Sequence, residues 1–163
     1  MNITDFREMY LKELQEARSF ESQLVEALPK MKEKATDDDL KKVIGAHLEE
    51  TRSQLDQVEA ILKRHGADGN KHTDQAMQSI IGEAEKWAGM IGDAALRDAG
   101  IIASAQRVEH YEIAVYGTLA SWAKQLGHDE DLNALLAILD QEKAADGKLS
   151  ELARREINPE AAR

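Results

Sequence analysis

Acidic residues stand in this sequence at positions where a helical repeat calls for apolar ones. Glu21 continues a stripe of apolar residues spaced alternately by three and four positions, and Glu109 and Glu112 lie one turn apart in the middle of a second stripe. An unpaired carboxylate is costly to remove from water, so each of these residues needs a compensating partner. The spacing therefore predicts carboxylates that converge in a helical interior.

Two further helical patterns carry polar residues on their apolar faces. His47 and Glu50 are three residues apart beside apolar positions, and Glu142 and Asp146 are four residues apart at the end of a leucine stripe. Each of four long helical patterns therefore contributes at least one carboxylate to the predicted interior.

An internal similarity links the two halves of the chain. Segments 20–28 and 111–119 align so that an aromatic residue, a glutamate and a leucine coincide, which matches Glu21 with Glu112. The same alignment brings Glu50 to within one residue of Glu142. We therefore expect two helical hairpins of similar design, each of which supplies interior acids.

Carboxylates that converge in an apolar interior repel one another unless protons or divalent cations neutralise them. A metal centre accounts for the whole set, and oxygen ligands with one imidazole suit iron or manganese, although they do not exclude zinc. The alternative is that the acids pair with Arg18, Arg107 or Lys143, or face solvent. The Glu-x-x-His motif that is usual in metal-binding helical bundles is absent. The candidate ligands are Glu21, Glu50, Glu112, Glu142, Asp146, Glu109 and His47.

Other polar residues have weaker claims to a site. Glu16 precedes Glu21 by five residues, so one straight helix cannot aim both at one ion, and Glu16 is either peripheral or belongs to a second ion. His110 is one step off the inward positions, which favours a surface or supporting role. Tyr116 lies on the inward stripe as a core residue or as a hydrogen-bond partner of a ligand carboxylate. We expect His65 to lie at a helix end, where capping or solvation suffices.

The elements that must position these residues are helices. The chain has two prolines and ten glycines, is rich in helix-forming residues and shows no period-two alternation typical of strands. We expect one domain over residues 1–163 with an all-α fold, a four-helix bundle with a short additional crossover helix. The first two predicted helices are 4–34 and a helix from the acidic stretch 36–39 to Gly66. The crossover helix is expected over 74–90 and the third long helix over 93–126. The last helix begins at about 129 and frays before Asn158 and Pro159.

Composition narrows the functional classes. The chain has no cysteine, which removes thiolate metal sites and disulfides, and agrees with a cytoplasmic location. A net charge of -10, with scattered lysines and arginines, argues against nucleic acid as a partner. The sequence has neither a secretion signal nor an apolar run long enough for a membrane span, so we expect no membrane partner.

Longer segments carry a family resemblance. The sequences AHLEET at 46–51, DAALRDAGIIASAQRVEHYEIAVYGTLASWAKQLG at 93–127 and DQEKAADGKLSELA at 140–153, with FESQLVEALPKM at 20–31, resemble the YciE/YciF family of bacterial stress proteins. The resemblance implies a ferritin-like bundle with an extra helix, a dimer and a di-metal centre, in a family whose activity is undefined. The family's acidic positions fall on Glu21, Glu50, Glu112 and Glu142.

Two functions follow as hypotheses. The first is a di-iron carboxylate protein that handles iron, oxygen or peroxide during stress; as an enzyme it would be an iron-dependent oxidase or peroxidase-like protein. The second is a structural or interaction protein that acts as a homodimer and retains a vestigial metal site. The inward acids favour the first, because a purely structural bundle would gain stability from leucine at those positions.

Overall fold

The computed structural model describes residues 3–69 and 72–163, and this part of the chain is helical with no strand. Five helices make up most of it: α1 (Phe6–Lys34), α2 (Asp38–Arg64), α3 (Gln75–Met90), α4 (Ala94–Leu126) and α5 (Asp129–Leu152). A π-helical turn, Ala153–Ile157, and a short helix α6, Asn158–Ala161, complete the chain. The predicted all-α class is confirmed.

Aspartates begin four of these helices. The side chains of Asp5, Asp37, Asp74 and Asp93 each accept a hydrogen bond from the backbone N–H three residues later, which satisfies a donor that the first turn would leave unpaired. At the end of α4, Gly127 adopts a left-handed conformation with a φ of 72°. These signals are local, so the expected starts of α1 to α4 agree with the structure to within two residues.

The expected end of the last helix was wrong. The chain stays helical past Asn158 and Pro159, because the Asn158 N–H reaches back five residues to the Ala153 carbonyl in a π-helical turn. Pro159 then lies in the first turn of α6, where its fixed φ suits a helix start.

The four long helices form two hairpins packed side by side. Helix α1 packs against α2 and α4 against α5, and the two hairpins meet through contacts of α1 with α4 and of α2 with α5. The connection from α2 to α4 contains α3, which lies against both α1 and α4. This is a four-helix bundle with one long crossover, as expected. No helix in the described ranges has the length and apolarity of a membrane span.

Buried aspartates tie a loop and the start of a helix to the bundle. Asp98 of α4 accepts hydrogen bonds from the backbone N–H groups of Thr36, at 2.8 Å, and Asp37, at 2.9 Å, and so ties the α1–α2 loop to the second hairpin. Asp74 accepts a 2.6 Å hydrogen bond from the Tyr111 hydroxyl, while its own N–H donates to Ser19 at 2.8 Å. The hydrogen bonds of Asp74 hold the start of α3 against α1 and α4.

The opposite end of the bundle carries a polar cluster around Asp131 of α5. Its carboxylate accepts hydrogen bonds from the Tyr10 hydroxyl at 3.0 Å and the Arg64 guanidinium at 2.7 Å, and lies 2.6 Å from His65 Nε2. These contacts join α1, α2 and α5. His65 was expected only to cap or be solvated, but its ring is largely buried and belongs to this cluster.

Candidate metal centre

Four side chains from three helices meet in the middle of the bundle. His47 of α2, Glu109 and Glu112 of α4 and Glu142 of α5 each place one potential ligand atom within 4.8 Å of the others. His47 Nε2 lies 3.3 Å from Glu109 Oε1 and 3.9 Å from Glu112 Oε2. All four residues are buried. We call this set the carboxylate cluster.

Helical spacing explains why these residues face inward. Glu109 and Glu112 are separated by three positions, so both lie on the side of α4 that also buries Val108, Val115 and Tyr116. On α5, Glu142 continues the buried stripe of Leu135 and Leu139. On α2, the buried positions include Ile44, His47, Thr51, Gln54 and Val58, which follow the same alternating repeat.

Glu21 of α1 brings the fourth long helix to the cluster. Its side chain is fully buried, and its Oε1 accepts a hydrogen bond from the Tyr116 hydroxyl of α4. Burial raises the pKa of Glu21, and the negative charge of Glu142 raises it further. Both roles expected for Tyr116 are therefore seen: its ring belongs to the core, and its hydroxyl bonds a candidate ligand.

Gln54 is a site residue that the sequence analysis did not identify as one. Its side-chain amide donates to Glu142 Oε1 and, at 3.0 Å, to Gln141 Oε1. The available signal was its place on the buried stripe of α2, where a fully buried amide must find hydrogen-bond partners. Gln54 fixes the orientation of the Glu142 carboxyl.

The interior acids are not compensated by basic side chains. Among the described residues, no lysine or arginine forms an ion pair with Glu21, Glu109, Glu112 or Glu142. Of the three basic partners considered, Arg18 pairs instead with Glu59, at 3.0 Å, and Arg107 and Lys143 are exposed. The alternative of basic partners or a solvated face is therefore wrong for these four glutamates.

Burial and mutual repulsion favour the protonated form of these carboxyls. Burial, followed by the charge of Glu142, raises the pKa of Glu109 to about 10 and that of Glu112 well above its ordinary value. Burial is also the main reason why the pKa values of Glu21 and Glu142 are raised. The raised pKa values favour protons on Glu109 and Glu112 in the metal-free protein, where a bound cation would otherwise supply the positive charge.

Glu50 lies beside the carboxylate cluster and outside the set of four. It is half-buried, its Oε2 is 3.9 Å from His47 Nδ1, and its Oε1 is 4.0 Å from Lys148 Nζ. The internal alignment places Thr51, and not Glu50, opposite Glu142, and one residue is a rotation of about 100° around a helix. Thr51 is the buried one of the two. The neighbouring His47 imidazole lowers the pKa of Glu50.

Asp146 also lies outside the set of four. Its Oδ1 accepts a hydrogen bond from Gln106 Nε2 at 3.1 Å, and its Oδ2 is 3.3 Å from His110 Nε2. It is near enough for its charge to raise the pKa of Glu109. His110 is 68% exposed, in line with the expected surface role. Glu16 is peripheral, since it pairs with His72 at 2.7 Å.

The unpartnered atoms of the cluster and of Glu21 fit a metal ion. Both Glu112 oxygens, both His47 nitrogens and one oxygen each of Glu21, Glu109 and Glu142 are buried without a hydrogen-bond partner. Buried polar atoms are rarely left so, and several unpartnered atoms that face one another indicate a ligand. Carboxylate oxygens with one imidazole are ligands for iron, manganese or zinc. The cluster can therefore hold a metal, whose identity the ligand types do not decide.

The fold and the cluster together define the class: a helical bundle with a buried histidine and carboxylate site that can hold metal. A family model described as a domain of unknown function (DUF892) matches residues 5–162. The protein YciF of Escherichia coli (strain K12) is 36% identical over 162 residues, which cover 99% of this chain and 98% of YciF. The chain belongs to this family, and the expected resemblance is confirmed.

Solved structures agree with the fold. The crystal structure of the E. coli stress protein YciF superposes with a TM-score of 0.91 at 35% identity, over 96% of this chain and 99% of that one. YcfI of Rhodopseudomonas palustris, described as a candidate structural protein, has a TM-score of 0.88 at 42% identity, over 91% and 95% of the two chains. A protein from Xanthomonas campestris pv. campestris, at 23% identity and a TM-score of 0.75 over 92% of each chain, shares the fold.

Proposed function

We propose that this protein binds two iron ions in the carboxylate cluster and handles iron, dioxygen or peroxide during bacterial stress. The observation that carries the proposal is the group of buried, unpartnered ligand atoms on His47, Glu109, Glu112 and Glu142. The likeness to the E. coli stress protein YciF supports the link to stress. We place this activity in the cytoplasm, where a chain without cysteine needs no oxidising environment.

Two ions are supported by the number of free oxygens. Glu112 has two unpartnered oxygens and would supply ligand atoms to the pair, with one further unpartnered oxygen each from Glu21 of α1 and Glu142 of α5. Bound as iron(II), such a pair would supply electrons for the reduction of dioxygen or peroxide. Within the protein, Tyr116 holds Glu21 and Gln54 holds Glu142.

Metal content tests this proposal. Protein purified from iron-supplied cells should contain about two iron or manganese ions per chain. Glu112→Ala and Glu142→Ala should each lose most of this metal, because both remove buried ligand oxygens. Glu26→Ala is the matched control, since Glu26 is an exposed residue of α1.

Glu50→Ala and Asp146→Ala decide whether these two predicted ligands bind metal directly. We expect both to retain metal with weaker affinity, because each residue lies beside the set of four. A wild-type protein that stays metal-free after supply of iron, manganese and zinc would contradict the proposal.

A second candidate function is a structural or interaction role through a homodimer. It is favoured by exposed apolar residues on the outer face of α3, where Trp87 is 44% and Met90 is 70% exposed. Sedimentation should show a dimer for the wild type and a monomer for Trp87→Ser combined with Met90→Ser. Leu136→Ser is the control, because Leu136 is similarly exposed on α5. A monomeric wild type would exclude this role.

A further inference from the structure

A small cavity connects the surface with one side of the carboxylate cluster. It lies between α1, α3 and α4 and has a volume of about 40 Å³. At one end it is lined by the exposed residues Lys30, Lys34 and Glu85, and at the other by the buried residues His47 and Glu109. The cavity therefore reaches a potential metal ligand from outside the bundle.

The wall between these two ends is apolar. It is formed mainly by Leu24, Leu28, Ile81, Ala84, Ile101 and Val108. The Ser104 hydroxyl, which has no hydrogen-bond partner in the described ranges, is a single polar group in this wall. Water needs two to four polar partners, so the stretch between the two ends, with one hydroxyl, is a poor site for water and a good one for an apolar molecule.

The volume is large enough for a small guest. It exceeds the roughly 10–15 Å³ that a cavity needs to hold one water-sized sphere. Dioxygen and xenon are small apolar molecules that suit such a space. Small side chains leave this space open, because a leucine at Ala84 or Ala88 would project into it from α3.

A second, smaller cavity of about 20 Å³ lies between α2, α4 and α5 and is also lined by His47 and Glu109. Space is therefore available on two sides of the same pair of residues. Only the larger cavity is covered by the crossover helix α3, which gives that helix a role beyond connecting the two hairpins.

We propose that the larger cavity binds a small apolar molecule of the size of dioxygen and admits it from the surface to the His47 and Glu109 side of the cluster. The binding of an apolar molecule depends only on the shape and lining of the cavity. Its delivery to a metal rests on the proposed function. The two parts are tested separately, so that their failures can be distinguished.

Xenon is the probe for binding, because it is apolar, small and visible by its anomalous scattering. Crystals of the metal-free full chain, pressurised with xenon, should show the gas between Ala84 and Val108. The Ala84→Leu variant should lose it, and Ala137→Leu, which adds the same atoms at an exposed position of α5, should keep it. Ala88→Leu is the second blocking variant if Ala84→Leu does not fold.

Absence of xenon from the wild-type cavity, or a chain of ordered waters in its place, would overturn the proposal. Retention of xenon by a folded Ala84→Leu protein would overturn it as well. The wild-type result does not depend on metal, so it stands even if the protein binds no iron.

Delivery is tested with protein loaded with iron(II) without oxygen. On mixing with dissolved oxygen, Ala84→Leu should oxidise its iron several-fold more slowly than wild type or Ala137→Leu at equal iron content. Equal rates in a variant that has lost xenon would show that oxygen arrives by another route and would overturn the delivery role.

Discussion

Replacing Glu112 with methionine should make the metal-free protein more stable and prevent it from binding metal. Glu112 is fully buried, and neither of its oxygens has a hydrogen-bond partner in the described structure. Methionine has a similar length and no group that needs a partner. Glu112 is therefore expected to lower the stability of the metal-free protein and to serve in metal binding.

The size of the effect follows from the unpaired carboxyl. A buried polar group without a partner costs about 1–3 kcal/mol, and each kcal/mol shifts the melting temperature of a chain of this length by about 2–4 °C. We expect Glu112→Met to raise the melting temperature by about 2–12 °C after treatment with a chelator. The gain should be larger at pH 8 than at pH 5, because the raised pKa of Glu112 destabilises the folded state as pH rises.

Calorimetry of chelated protein, with and without added iron(II) or manganese(II), measures both effects. Wild type should melt at a higher temperature when metal is added, and Glu112→Met should not respond. Glu26→Met is the control, because Glu26 is exposed and its replacement should change neither quantity appreciably. A Glu112→Met protein that is less stable than metal-free wild type, or that still responds to metal, would refute the reasoning.

Three further predictions follow from the same structure. The metal-free protein should lose stability as pH rises from about 5 to 8, because the raised pKa of Glu109, about 10, keeps this residue protonated in the folded state while the unfolded chain ionises. Thermal melts of Glu109→Gln should show a shallower dependence of melting temperature on pH. Tyr116→Phe removes the hydroxyl that donates to Glu21 and should weaken metal affinity by about 10–100-fold, as measured by titration calorimetry. Unchanged affinity would place Glu21 outside the site. Asp131→Asn disrupts the contacts of Tyr10, Arg64 and His65 at the end of the bundle. It should lower the free energy of unfolding, measured in urea, by about 1–3 kcal/mol and leave the metal content unchanged. Loss of metal would show that this end is coupled to the carboxylate cluster.

The helices and their order were predictable because their signals are local. Aspartates at 5, 37, 74 and 93 and the glycine at 127 define helix ends within a few residues of sequence. The continuation through Asn158 and Pro159 was not, because the π-helical turn before it has no simple sequence signal. How α3 packs also required the structure, since the hydrogen bonds of Asp74 join residues far apart in the chain.

The candidate site was predictable where acids share the period of the core. Glu21, Glu109, Glu112 and Glu142 are all buried, as their spacing indicated. Glu50 shows the limit of this reasoning, because an alignment error of one residue moves a side chain from the interior to the rim. Partners from other helices stay hidden in the sequence, which is why the hydrogen bond from Gln54 to Glu142 and the cluster around Asp131 emerged only with the fold.

The most direct test of the metal centre is anomalous X-ray diffraction from crystals of the wild-type protein grown with iron(II) in the absence of oxygen. Data collected on both sides of the iron absorption edge locate iron without reference to any assay. We predict two peaks inside the bundle, each within about 2.0–2.5 Å of carboxylate or imidazole atoms of the cluster. A bundle with no anomalous peak among His47, Glu109, Glu112 and Glu142, or with iron bound only at the surface, would contradict the account.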